Sequence, residues 1–126
     1  MFIKENINPT GKKKSDCVIR AIAKAENRAW LDVFDELTML ARKWYTVPNV
    51  KECYDKYLSA KYPTIPIMHK VSGKNKRYTV NELAKEYSRN TVIISIAGHL
   101  AVAVNGNYYD IWDCGDSCSY KAWVIR

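Results

Sequence analysis

No apolar run in this 126-residue chain approaches the roughly 20 residues that span a bilayer; the longest, Thr91 to Ala97, is only strand-sized. An apolar signal segment is also missing after the opening Met-Phe-Ile-Lys, so the expectation is a cytoplasmic protein without membrane contact. Cysteine is sparse. Cys17, Cys53, Cys114 and Cys118 are unevenly scattered, which fits a reducing compartment better than a disulfide framework. A chain of this length buries roughly two thirds of its unfolded surface, so it folds without staples and its thiols are open to a chemical reading.

Acidic residues are in deficit, with 13 Asp plus Glu against 20 Lys plus Arg, and the net charge is +7. Basic clusters at Lys12-Lys13-Lys14 and at Lys70 to Arg77 can attract phosphates or an acidic partner. Neither cluster carries the interleaved aromatics of a base-stacking platform, and no zinc-finger, recognition-helix or RNA-binding aromatic motif is present. Nucleic acid is therefore not an expected partner. Cys114 and Cys118 have a tolerable spacing for zinc but no second close pair, so neither a metal nor another cofactor is expected.

The pattern along the chain implies one domain, 1–126, with an extended arm at 1–15, a helical half at 16–62 and a β-rich half at 63–126. Asn8-Pro9-Thr10-Gly11 and the three lysines mark the arm as loop. Ser15 or Asp16 is positioned to cap a helix running to about Asn27, with Val18, Ile19, Ile22 and Ala25 on its apolar face. Trp30, Val33, Phe34, Leu37, Leu40, Ala41 and Trp44 recur at helical spacing, and Pro48 opens a third helix carrying Val50, Tyr54, Tyr57 and Leu58. Beyond Pro63 the pattern becomes extended. Ile65 to Val71 reads as a strand, Gly73 to Lys76 as a loop, and Thr79-Val80-Asn81-Glu82 as a capping box opening a short helix. Thr91 to Ala97 reads as a central strand, His99 to Val104 and Tyr108 to Asp113 as a hairpin about Asn105-Gly106, and Tyr120 to Ile125 as a final strand. Helices followed by an antiparallel sheet make an α+β fold.

Three short stretches carry the chemistry. A thiolate is favoured at a helix N-terminus beside an imidazolium, and Cys17 sits in the first turn of the first helix. His99 is the candidate base, since the only other histidine, His69, lies in the basic stretch. A carboxylate must orient that ring. A two-residue turn at Asn105-Gly106 pairs Ala101 with Asp110 and makes Asp110 the diagonal neighbour of His99, whereas a three-residue turn would bring Asp113 opposite instead.

Gly98-His99-Leu100-Ala101-Val102 followed by Asp110-Ile111-Trp112 resembles the second half of the papain-like cysteine peptidases, in which a His opens an Ala/Val strand and an Asn-x-Trp follows. Asp16-Cys17 at the head of an apolar helix resembles the bacteriocin-processing members of that group. With Trp30 to Phe34 included, the arrangement is similar to small papain-fold proteins encoded by bacteriophages. The resemblance implies a papain-like fold and a cytoplasmic thiol hydrolase cutting peptide or isopeptide bonds. Cys17 would be nucleophile, His99 base and acid, Asp110 the orienting group, and Trp112 its shield. It also implies a Gln ahead of the nucleophile as oxyanion donor, and this chain contains no Gln at all. The Cys17 amide, helped by Asn6, Asn8 or a lysine, would have to serve. The alternative expectation is a binding protein without catalysis, an anti-defence factor that sequesters a phosphorylated nucleotide signal or blocks a host protein. In that reading Lys12, Lys13, Lys14 and Asn8 form an anion site at the helix start.

Overall fold

The computed structural model describes all residues 1–126 and is α+β, with four helices and a mixed five-stranded sheet. The elements in chain order are β1 (Phe2–Lys4), α1 (Cys17–Glu26), α2 (Trp30–Lys43), α3 (Lys51–Lys61), β2 (Met68–Val71), β3 (Lys74–Arg77), α4 (Val80–Glu86), β4 (Thr91–Ile96), β5 (His99–Val104), β6 (Asn107–Asp110) and β7 (Lys121–Val124). The main sheet runs β1-β6-β5-β4-β7, so β5 is its middle strand.

Two cores, one on each face, hold the sheet. Because alternate side chains of a strand point to opposite faces, Ile93, Leu100, Val102 and Trp123 meet α1, α2 and α3 on one side. Val92, Ile94, Ala101, Ala103, Tyr108 and Ala122 meet α4 on the other. The nearly all-apolar composition of Thr91 to Ile96 fits this placement: every residue of β4 is buried. The apolar stripes of α1 and α2 lie where their periodicity puts them, with Val18, Ile22, Val33 and Leu37 in the core.

The helix ends explain where α1 stops and how it is tied down. Asn27 takes the left-handed conformation at φ 54°, and its amide bonds back to the Ala23 and Lys24 carbonyls. Glu26 places a carboxylate at the negative end of the helix dipole, an unfavourable position. It is offset by Arg28 at 3.0 Å, Lys61 at 2.8 Å and the hydroxyls of Tyr57 and Tyr62, which fasten α1 to α3.

Three expectations need correction. The sheet is not wholly antiparallel, because part of the expected arm, Phe2–Lys4, forms an edge strand parallel to β6. A three-residue strand paired with a segment 106 positions away leaves no periodic trace in sequence. The stretch Gly73 to Lys76 is not a loop: Ser72 (φ 52°) and Gly73 (φ 78°) make a two-residue turn that pairs Val71 with Lys74. The resulting β2–β3 hairpin is hidden by the exposed Lys-Asn-Lys-Arg composition of β3, which has no buried face to impose alternation. The third helix starts at Lys51, with Val50 at its boundary rather than in its core.

The turn that matters for the site forms as a two-residue loop. Asn105 (φ 51°) and Gly106 (φ 88°) both occupy the left-handed region, and Val104 pairs with Asn107, Ala103 with Tyr108 and Val102 with Tyr109. The Thr79 capping box at α4 is also complete, with Glu82 N–H donating to Thr79 Oγ1 and Thr79 N–H to Glu82 Oε1.

Ile93 is fully buried between β5, β7 and the helices. Ile93→Ala should lower unfolding free energy by about 2 to 5 kcal/mol, whereas Lys74→Ala on the exposed hairpin should change it by less than about 0.5 kcal/mol. Urea midpoints for the two variants check this.

Candidate functional site

The first turn of α1 is left open. Asp16 occupies the N-cap position, yet its carboxylate bonds none of the helix amides, and its carbonyl accepts the first helical bond from Arg20 N–H at 2.9 Å. The Cys17 N–H has no partner within the protein. Residue type alone makes Ser15 or Asp16 a cap. Instead the Asp16 carboxylate accepts from Arg20 Nε at 2.8 Å, Asn8 Nδ2 at 2.8 Å and Trp30 Nε1 at 3.0 Å.

Arg20 is the pivot of this polar cluster. Its guanidinium is buried, and while Nε holds Asp16 its Nη1 reaches Asp110 Oδ1 at 3.3 Å. Asp110 is itself 2 % exposed, and Oδ1 also accepts the Ile111 N–H at 2.8 Å. The other oxygen, Oδ2, lies 2.5 Å from His99 Nε2. The hairpin register sets up this last contact by making His99 and Asp110 diagonal neighbours on one side of the β5–β6 pair. With Nε2 committed to Asp110, Nδ1 is the nitrogen left for Cys17, which lines the same two recesses as the ring. Trp112 covers the imidazole with its ring centroid 5.0 Å away.

The electrostatics shift Cys17 and His99 toward opposite charges. Burial by itself lowers a histidine's proton affinity, but hydrogen bonds to Asp110, Cys114 and Cys17 outweigh it and push His99 up to about 11. Burial likewise raises a thiol. At Cys17 the His99 hydrogen bond, a backbone hydrogen bond from Leu100 and the charges of His99 and Arg20 prevail, and the thiol falls below its ordinary value. Asp110 is held below the usual carboxylate range: burial opposes ionisation, but His99, Ile111 N–H and Arg20 overcome it. Both shifts favour the charged forms, thiolate and imidazolium, over the neutral pair.

The remaining expected residues fall in different places. Asp113 is not at the ring; it accepts from Tyr108 Oη at 2.6 Å and Gly115 N–H at 3.0 Å, closing the loop after β6. Asn8 is no free anion ligand, because Nδ2 is spent on Asp16 and Oδ1 on Thr10. Asn6 donates to the Lys12 carbonyl and borders neither recess that contains Cys17 and His99. Lys12 and Lys13 are exposed and line no cavity, whereas Lys14 borders the recess beside Cys17. The thiols of the last loop part company: Cys118 is exposed, and Cys114 is buried with Sγ donating to Asp110 Oδ2 at 3.6 Å.

Arg20 and Cys114 are the site residues that sequence reasoning missed. An arginine four residues after an aspartate inside an apolar helix is a detectable signal for a buried pair, and Asp16-x3-Arg20 is that pattern. Cys114 had no comparable signal. His99, Asp110 and Cys114 together are the one group of such donors close enough to hold a single ion, their ligand atoms lying within 4.8 Å of one another. The charge balance argues against a cation: Asp110 is already faced by Arg20 and by the imidazolium, and burial pushes the Cys114 thiol up, away from the deprotonated form a metal needs.

Cys17 and His99 open into two recesses. One, of about 490 Å³, is walled by Val50, Tyr54, Ser95 and Tyr120, with Tyr54 Oη and Ser95 Oγ 3.0 Å apart. The other, of about 280 Å³, is walled by Lys14, Arg20, Ile111 and Trp112. A larger groove of about 570 Å³, lined by Ile19, Leu31 and the stacked rings of Trp30 and Phe34, shares Lys14 and Ser15 with the second recess. The site is thus a cleft with apolar ground on one side and the Cys17 thiol between the two recesses.

A histidine whose proton affinity is raised by folding contributes stability that is full below its ordinary pKa of 6.5 and is lost as pH rises toward about 11. The difference in urea midpoint between wild type and Asp110→Asn should therefore be largest near pH 6 and shrink steadily by pH 10. The Arg20 pair to Asp110 leaves a residual difference; a gap that stays flat across this range would contradict the assignment. No known protein family, characterised protein or solved structure matches the chain, so the functional reading rests on this geometry and on the sequence itself.

Proposed function

We propose that the protein is a thiol hydrolase of papain-like fold that cuts a peptide or isopeptide bond. The observation that carries this reading is the 2.5 Å contact between His99 Nε2 and Asp110, which leaves the opposite edge of the ring to a Cys17 thiol bordering an open cleft. Support also comes from the resemblance of Gly98 to Val102 and Asp110 to Trp112 to papain-like peptidases, including the small bacteriophage-encoded ones.

Thiolate attack by Cys17 on the substrate carbonyl forms a C–S bond and an oxyanion. The imidazolium then gives its Nδ1 proton to the leaving nitrogen as the C–N bond breaks. Water, deprotonated by the now neutral ring, hydrolyses the thioester and restores the thiol. Asp110 keeps Nε2 bonded throughout, which fixes the ring's orientation and stabilises its charged form. Arg20 in turn holds Asp110, and the Asp16 carboxylate holds Arg20.

A second reading has one observation behind it: Lys14 borders the recess that holds Cys17, near the unpartnered amide of the α1 start. There a phosphorylated small ligand would be bound without being cut, consistent with a role in countering host defence.

Turnover of a mixed peptide library, read by mass spectrometry, separates the two. The hydrolase reading expects cleavage that Cys17→Ala abolishes and that Asp110→Asn reduces by about 10²- to 10⁴-fold, the range for general acid–base assistance. Cleavage undiminished in Cys17→Ala would overturn it. Calorimetric nucleotide binding that survives Cys17→Ala, in a protein that cleaves nothing, would favour the second reading.

A further inference from the structure

We propose that Asn49, in the loop between α2 and α3, supplies the second oxyanion donor of this site; the inference rests on the thiol-hydrolase reading. Acyl transfer concentrates negative charge on the former carbonyl oxygen, and aligned N–H donors must meet it. One donor is already free, the Cys17 N–H at the first turn of α1. A second must come from a polar group bordering the thiol's recesses, and neither Asn6 nor Asn8 borders them.

Asn49 meets the requirement. It borders both recesses that contain Cys17 and His99. Its Nδ2 donates to the Ser15 carbonyl, two residues before Cys17, at 3.4 Å. That acceptor orients the carboxamide, turning its nitrogen rather than its oxygen toward the helix start. A carboxamide nitrogen carries two protons, and the second remains available to the cleft. The loop is also well anchored behind it: Pro48 restricts the chain, and Val50 O accepts the Cys53 and Tyr54 amides that begin α3. Lys14 borders the same recess but offers a charge on a flexible stem instead of a directed donor.

In the step itself, the sulfur of Cys17 bonds to the carbonyl carbon and the C=O pair moves onto oxygen, where the Cys17 N–H and Asn49 Nδ2–H receive it. The pair returns as the C–N bond breaks and the amine leaves with the proton from His99. Glutamine plays no part, which reconciles the absence of that residue with a working site.

The test compares two reactions of Cys17. Acylation by p-nitrophenyl acetate passes through an oxyanion, whereas alkylation by iodoacetamide substitutes at a saturated carbon and does not. Asn49→Ala should slow acylation by about 10²- to 10³-fold and leave alkylation unchanged, and Asn49→Asp, which sets a carboxylate against the oxyanion, should slow acylation at least as far. Acylation at the wild-type rate in Asn49→Ala would overturn the assignment and leave the hydrolase reading standing. Equal loss of both reactions would overturn it too, by showing that Asn49 only shapes the thiol's surroundings. Wild-type acylation no faster than that of Cys17→Ala would overturn the hydrolase reading itself.

Discussion

The buried guanidinium of Arg20 is the constraint on which the site depends. It lies between two carboxylates, Asp16 from the start of its own helix and Asp110 from the end of β6, and so joins α1 to the sheet by charge as well as by packing. Removing one partner of such a buried pair typically costs about 3 to 5 kcal/mol, because the remaining charge stays uncompensated. Both carboxylates have further partners: Asp16 is also met by Asn8 and Trp30, and Asp110 by Ile111 N–H, Cys114 and His99. No buried side-chain nitrogen or oxygen anywhere in the chain is left unsatisfied.

From that constraint the charge states are set in order. Burial opposes ionisation of Asp110, and His99, the Ile111 N–H and the charge of Arg20 together hold its carboxyl below the usual carboxylate range. An ionised Asp110 keeps His99 charged, and a charged His99 lowers the Cys17 thiol against the penalty of its own burial. The chain of influence runs from a buried helix residue to the thiol that lines the cleft. Stability and reactivity are therefore coupled here, since the ionic contacts that dock α1 on the sheet also set the charge state of the proposed nucleophile.

Much of this was legible in the sequence because it is written in local patterns. The stripe from Trp30 to Ala41, the all-apolar β4 and the capping box at Thr79 are periodic or short-range signals, and each element formed near its expected bounds. Asn105-Gly106 was decisive, since a two-residue turn sets which carboxylate faces His99. What escaped notice depends on contacts distant in sequence or on surfaces without a pattern. Phe2–Lys4 becomes a strand only through Tyr108 to Asp110, Arg20 finds Asp110 ninety residues away, and Asn49 reaches the helix start from an irregular loop. Asp16 shows the opposite case: a favourable cap by residue type, it is recruited by a stronger, charged partner.

The central claim is that Cys17 and His99 share a proton as a thiolate–imidazolium pair sustained by Asp110. The pH dependence of Cys17 alkylation, followed at that residue by mass spectrometry in wild type and in His99→Ala, measures it most directly. The expected result is rapid alkylation that persists well below the ordinary thiol pKa of 9.0 in the wild type and a shift to a normal or higher value in the variant. A wild-type profile centred at or above 9.0 and unchanged by His99→Ala would contradict it.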